Sequence, residues 1–147
     1  MTPHVLVTGP QSTGGRWVRV LLKDGSIEAH HDGSHGTKRH AQRFDLVVAM
    51  CRNPYPATLS IQRAHRKGKS GRVNQAGMRV ETWPEAVEMW CHYLKAVLLR
   101  YPDALWWQYE DLIREPQALA DAIADRLHLE RWAIIEVPRD ANAKWRT

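Results

Sequence analysis

Short β-branched apolar runs alternate along the chain with stretches of helical spacing. His4 to Thr8 is such a run and stops at Gly9-Pro10, the way a buried parallel strand hands the chain to a loop. From Gly14 to Leu22 the apolar positions Trp17, Val18, Val20, Leu21 and Leu22 suit a helix opened by glycines and closed by Asp24-Gly25. A short strand at Ile27 to His30 is followed by a stretch rich in Gly, His, Lys and Arg with no periodicity, read up to Arg43 as a mobile surface loop. Asp45 to Met50 is a clear strand, and Pro54 and Pro56 open a helix running to about Ala64.

A basic, glycine-containing loop, Arg66 to Gly77, comes next. Val87, Trp90, Leu94, Val97 and Leu98 then mark the longest helix, Glu81 to Leu99, ended by Tyr101-Pro102-Asp103. Ala104 to Tyr109 reads as a strand, Pro116 to Leu127 as an amphipathic helix, and the tail from Trp132 as apolar and then polar. Strands alternating with helices predict an α/β fold with a mainly parallel central sheet, flanked by helices in three layers. The 147 residues fit a single domain, 1–147, without internal repeats.

Composition narrows the function classes. Hydrophobic residues make up 44% and charged residues 25%, which marks a globular chain rather than a disordered or fibrous one. The formal net charge of +5 favours an anionic partner. Of seven tryptophans, Trp90 and Trp106 suit a core, while Trp17 and Trp145 suit a flat ligand. Cys51 and Cys91 lie in apolar surroundings and read as buried free thiols of a reducing compartment. No apolar run reaches membrane-spanning length and the N-terminus lacks a signal-type stretch, so a cytoplasmic location and no membrane partner are expected.

Three segments carry chemistry. Thr8-Gly9-Pro10-Gln11-Ser12-Thr13-Gly14-Gly15-Arg16-Trp17 joins a strand to a helix, where backbone N–H groups and the positive helix terminus cradle an anion. Its Gly9 to Gly14 spacing resembles a Walker A loop, but Gly15 replaces the nucleotide-binding lysine and Arg16 the magnesium-binding hydroxyl. In Cys51-Arg52-Asn53-Pro54-Tyr55-Pro56-Ala57-Thr58-Leu59-Ser60, Arg52 stands at the carboxyl end of a strand and Ser60 lies early in the next helix. A guanidinium and a hydroxyl so placed hold a phosphate monoester, or else serve as an ordinary ion pair and a solvated serine. Tyr109-Glu110-Asp111-Leu112 follows the last strand.

In this order, over about residues 4 to 128, the three segments resemble the phosphosulfate loop, the Arg-x-Pro-x-x-x-x-x-Ser segment and the Tyr-Glu-Asp-Leu segment of the sulfotransferases. Those enzymes use 3′-phosphoadenosine-5′-phosphosulfate (PAPS) and belong to the P-loop nucleotide-binding superfamily. The resemblance implies that Gly9, Pro10, Gln11, Ser12, Thr13, Gly14, Gly15, Arg16 and Trp17 surround the 5′-phosphosulfate. It likewise implies that Arg52 and Ser60 hold the 3′-phosphate of PAPS or of its product PAP, and that Tyr109 lies near the adenine. Glu110 and Asp111 read as structural. The family's loop lysine is Gln11 here, so its role falls to Arg16 or to a residue from elsewhere. The chain is shorter than the family's usual cytosolic members, so the acceptor elements are expected to be reduced and the acceptor, acidic or macromolecular, to be presented by another protein.

The family often places a histidine base between its first two motifs, and Ser34-His35-Gly36 lies in that interval, which makes His35 and Arg16 the catalytic candidates. The alternative for His35 is plain solvation within the polar cluster His30, His31, His35 and His40. That cluster has no cysteine or paired spacing, and no metal is expected. Asp45 to Met50 begins rather than ends with its aspartate, so a Walker B carboxylate is missing and a metal-free transfer fits better than NTP hydrolysis. The enzyme alternative is a nucleotide or small-molecule kinase. The others are a degenerate nucleotide-binding fold and a nucleic-acid-binding module using Arg63, His65, Arg66, Lys67, Lys69 and Arg72. Nucleic acid is not the expected partner, because no aromatic residues are interleaved with these charges.

Overall fold

A computed structural model describes residues 1–10, 13–64 and 80–139. Gln11, Ser12, Trp145 and the basic loop from His65 lie outside the described residues. In chain order the elements are β1 (His4–Thr8), α1 (Gly15–Lys23), β2 (Glu28–His31), β3 (Leu46–Cys51), α2 (Pro54–Ala64), α3 (Trp83–Arg100), β4 (Leu105–Gln108), α4 (Tyr109–Arg114) and α5 (Pro116–Arg126). The fold is α/β: a four-stranded, wholly parallel sheet in the order β2-β1-β3-β4, flanked by helices. No helix among the described residues is long and apolar enough to cross a membrane.

Strand alternation divides the core. Val5, Val7, Val48 and Met50 face one side, where Val18, Leu21 and Leu22 of α1, Leu112 of α4, and Leu119 and Ile123 of α5 cover them. Leu6 and Ala49, equally buried, point to the other side. There α2 and α3 pack on each other through Ala57, Ile61, Ala86, Met89, Trp90 and Tyr93. The capping box of Thr82 and Glu85 starts α3, with a proline in its first turn.

Topology then locates a crevice. After β1 the chain places β2 on one side, and afterwards β3 on the other side of β1. Open parallel sheets bind ligands at such a reversal, outside the carboxyl ends of the two strands. Here those ends carry Thr8-Gly9 and Cys51-Arg52.

Four sequence expectations are corrected. The first part of the stretch after β2 is not a surface loop: Asp32, Ser34 and Gly36 are buried, and Arg100 of α3 donates to the Gly36 and Thr37 carbonyls, whereas Lys38 to Arg43 is mostly exposed as expected. Tyr109 does not end a strand but opens α4, a one-and-a-half-turn helix too short to show periodicity. The buried stripe of α3 is Ala86, Met89, Trp90, Tyr93 and Val97, which leaves Leu98 50% exposed. Both cysteines are free thiols, but Cys51 is half-buried at its strand end and Cys91 is exposed on the face of α3 opposite that stripe.

Candidate functional site

The β1–α1 turn is built on backbone geometry that only glycine adopts comfortably. Gly9 has φ +141°, and a Cβ there would stand 2.4 Å from the Met50 carbonyl oxygen of neighbouring β3. Gly14, at φ +90°, caps α1 with its backbone, and no side-chain hydrogen bond caps this end of the helix. Thr13 draws the loop closed by donating its hydroxyl to the Pro10 carbonyl at 2.7 Å. The first turn of α1 carries no acidic residue, so the N–H groups and positive end of this nine-residue helix face the crevice without a competing carboxylate on the helix.

Tyr109 and Arg52 form the opposite wall. A Cβ on Gly14 would meet Tyr109 Cδ2 at 2.6 Å, so the ring packs directly under the loop. The Arg52 guanidinium lies 4.1 Å above the centre of the same ring, and its residue is 7% exposed. Cation–π contact and burial together hold the guanidinium in one orientation, as a bidentate anion contact requires. Tyr109 therefore acts here as the platform for Arg52. Glu110 accepts from the Asn53 amide at 2.9 Å and ties the Arg52 loop to α4, while Asp111 pairs with Arg114 at 2.7 Å. Both carboxylates are structural, in agreement with the sequence reading.

The third wall comes from the segment after β2. Asp32 is fully buried, and its carboxylate accepts from Thr8 Oγ1, Ser34 N, Ser34 Oγ and Gly36 N at 2.6 to 3.1 Å, with His40 Nε2 at 3.1 Å. Burial opposes its ionisation. The hydrogen bonds from Ser34, Thr8, His40 and Gly36 outweigh that and hold the carboxyl below the usual carboxylate range. These bonds wind a tight turn that places His35 in the left-handed region, φ +51°. The His35 ring packs 4.8 Å from that of Tyr93, and its Nδ1 lies 2.9 Å from the Gly9 carbonyl oxygen. A carbonyl only accepts, so Nδ1 carries the proton and a neutral ring keeps its lone pair on Nε2.

Asp32 has a lowered folded-state pKa, so its stabilisation is complete above the unfolded pKa and is lost as pH falls through the folded value. Asp32→Asn, which offers one acceptor oxygen in place of two, should cost about 3 kcal/mol at pH 7. The deficit relative to the native chain should shrink as pH falls below the unfolded carboxylate value and through the lower folded one. Denaturant unfolding at pH 7 and at acid pH checks this; a pH-independent deficit would mean the charge of Asp32 does not matter.

The three walls enclose a cavity of about 650 Å³, within the usual range of ligand sites. Of the residues predicted from sequence, Gly9, Pro10, Thr13, Gly14, Gly15, Arg16, Trp17, His35, Arg52, Ser60 and Tyr109 line it. Gln11 and Ser12 lie outside the described residues. Comparison with protein-family models and with curated proteins finds no match. The chemistry of the cavity is therefore read from its own residues.

Sequence reasoning missed several other lining residues. Arg19 and Lys23 follow the predicted Arg16 at helical spacing and line the cavity from α1, a pattern visible in the sequence. His31 also lines it, because β2 runs one residue further than expected. Burial first, then the nearby Arg19 and His35, hold its imidazole below the ordinary histidine pKa and so neutral at pH 7. Glu136 and Arg139 arrive from the tail, which no local pattern signals. Trp132 anchors that tail by donating its indole N–H to the Leu21 carbonyl at 3.1 Å, and Ile135 N donates to Asp24 at 2.8 Å. Among the described residues, five cationic side chains thus face two carboxylates, one of which, Asp32, is occupied by its own hydrogen bonds.

Proposed function

We propose that this chain is a P-loop, PAPS-binding protein of the sulfotransferase type that passes a sulfuryl group to an acceptor hydroxyl. The observation that carries the reading is convergence: Gly9, Pro10 and Thr13 to Trp17, His35, Arg52, Ser60 and Tyr109, far apart in sequence, line one cationic cavity at the reversal point of a parallel sheet. The donor supplies a sulfuryl group carried on a phosphate leaving group. The glycine loop and the α1 terminus bind its 5′ end, and Arg52 with Ser60 binds the 3′-phosphate. In this reading Arg16, which lines the cavity from the start of α1, offsets the negative charge that grows on the departing 5′-phosphate. His35 Nε2 accepts the acceptor's hydroxyl proton, while the Gly9 carbonyl fixes the tautomer that leaves this nitrogen free.

Arg16, Arg19 and Lys23 on one face of α1 favour an acidic acceptor. The two free thiols suit a reducing, cytoplasmic setting. Asp32, which accepts from Thr8 where the glycine loop begins, is saturated by its own hydrogen bonds, which favours binding without magnesium. Calorimetric titration with PAP should accordingly give the same affinity in EDTA as in Mg²⁺. A tenfold loss in EDTA would turn the reading towards a kinase.

A further inference from the structure

A second cluster of chemistry-bearing groups lies at the other end of the sheet, away from the cavity. In the parallel register His4 is paired with Glu28, and His30 follows Glu28 by two residues on the edge strand β2. Side chains two apart on a strand share a face, so the register of β1 against β2 gathers all three residues. His4 Nδ1 lies 2.9 Å from His30 Nε2 and 3.5 Å from Glu28 Oε2. One ligand atom from each of the three falls within 4.8 Å of the others. Tetrahedral zinc, with bonds near 2.0 to 2.2 Å, separates its ligand atoms by about 3.3 Å.

A cation held by these three atoms takes the lone pairs of both imidazoles and a carboxylate oxygen together, and the Gln42 side-chain amide, 2.9 Å from His4 Nδ1, lies beside the fourth position, which is otherwise left to water. The rings are already set for this: His4 and His30 stack at 5.2 Å, Phe44 meets His30 edge-on at 5.4 Å, and Asp45 holds the His4 amide at 2.7 Å.

We propose that His4, Glu28 and His30 form a zinc-type divalent metal site that staples the edge strand β2 to β1. The two imidazoles and one carboxylate select a borderline cation such as Zn²⁺ over Mg²⁺, which prefers six oxygen ligands. The sequence conceals this site, because His4 stands far from the histidine-rich segment and reaches it only through strand pairing. The staple is independent of nucleotide binding at the carboxyl ends of the strands.

The test is a thermal-unfolding and calorimetric titration of untagged, EDTA-treated protein with ZnCl₂, and with MgCl₂ for comparison. Zn²⁺ should saturate at one ion per chain and, at a hundredfold excess over its dissociation constant, raise Tm by about 5 to 10 °C. Mg²⁺ should leave Tm unchanged. Glu28 is exposed, so Glu28→Gln should keep the unliganded Tm yet weaken Zn²⁺ at least tenfold. His30→Gln should abolish the shift, and His128→Gln, on an exposed residue outside the cluster, should retain it. The chain has 8 histidines, so a shift that survives in the His4→Gln/His30→Gln double variant would assign the binding to other imidazoles and overturn the proposal. Failure to saturate at one ion, or an equal response to Mg²⁺, would also overturn it.

Discussion

Gly9→Ala should lower Tm by about 10 °C and abolish nucleotide binding. The residue sits at φ +141°, where a side chain is strained, and its added Cβ would fall 2.4 Å from Met50 O and 3.2 Å from Met50 C. Those atoms are backbone of the central strand β3, which pairs with β1 on one side and, at Met50 itself, with Trp107 of β4 on the other, and they cannot move aside. Strained backbone costs about 1 to 3 kcal/mol and overpacking a similar amount, together about 3 to 5 kcal/mol. Any relief must come from the loop, which would pull Thr13 off Pro10 and turn the α1 N–H groups away from the cavity. Gly33→Ala is the matching control, since nothing lies within 4 Å of a Cβ there. Thermal unfolding of the two variants side by side decides the matter, and equal Tm values would show that the loop tolerates a side chain and is not a close-fitting anion cradle.

Arg52→Ala should weaken PAP binding by roughly thirty- to a hundredfold, the effect of losing a bidentate charged contact worth about 2 to 3 kcal/mol. Arg52 is almost fully buried against Tyr109, so truncation also removes packing and lowers stability somewhat. Comparing two ligands in the same variant cancels that contribution. AMP lacks the 3′-phosphate, and its affinity should change much less. Arg52→Lys should recover only part of the loss, because an ammonium neither reproduces the guanidinium fork nor stacks as well on the ring. Equal losses for PAP and AMP in calorimetry would make Arg52 a structural arginine.

The strands and most helices were legible because their signals are local. β1 ends where Gly9-Pro10 stops a β-branched run, and α2 spans Pro54–Ala64 as its prolines and apolar spacing predict. Within the candidate site, the glycine loop and Arg52 were legible for the same reason: each follows directly on a strand. Asp32 was not, since a carboxylate in a Gly/His-rich stretch looks like solvated loop until Thr8 and His40 arrive from elsewhere. A sharper reading of Asp32-Gly33-Ser34-His35-Gly36 as a side-chain-stabilised turn would have found the support under His35. The Arg52–Tyr109 stack and the contributions of Glu136 and Arg139 span dozens of residues and follow only from the topology.

The most direct measurement of the central claim is calorimetric titration of the intact chain with PAP and with AMP, under identical salt and in EDTA. The two ligands differ at the 3′-phosphate alone, the group assigned to Arg52 and Ser60. The cavity described here predicts that PAP binds roughly thirty- to a hundredfold more tightly than AMP. Equal affinities would contradict the 3′-phosphate site and, with it, the sulfotransferase reading.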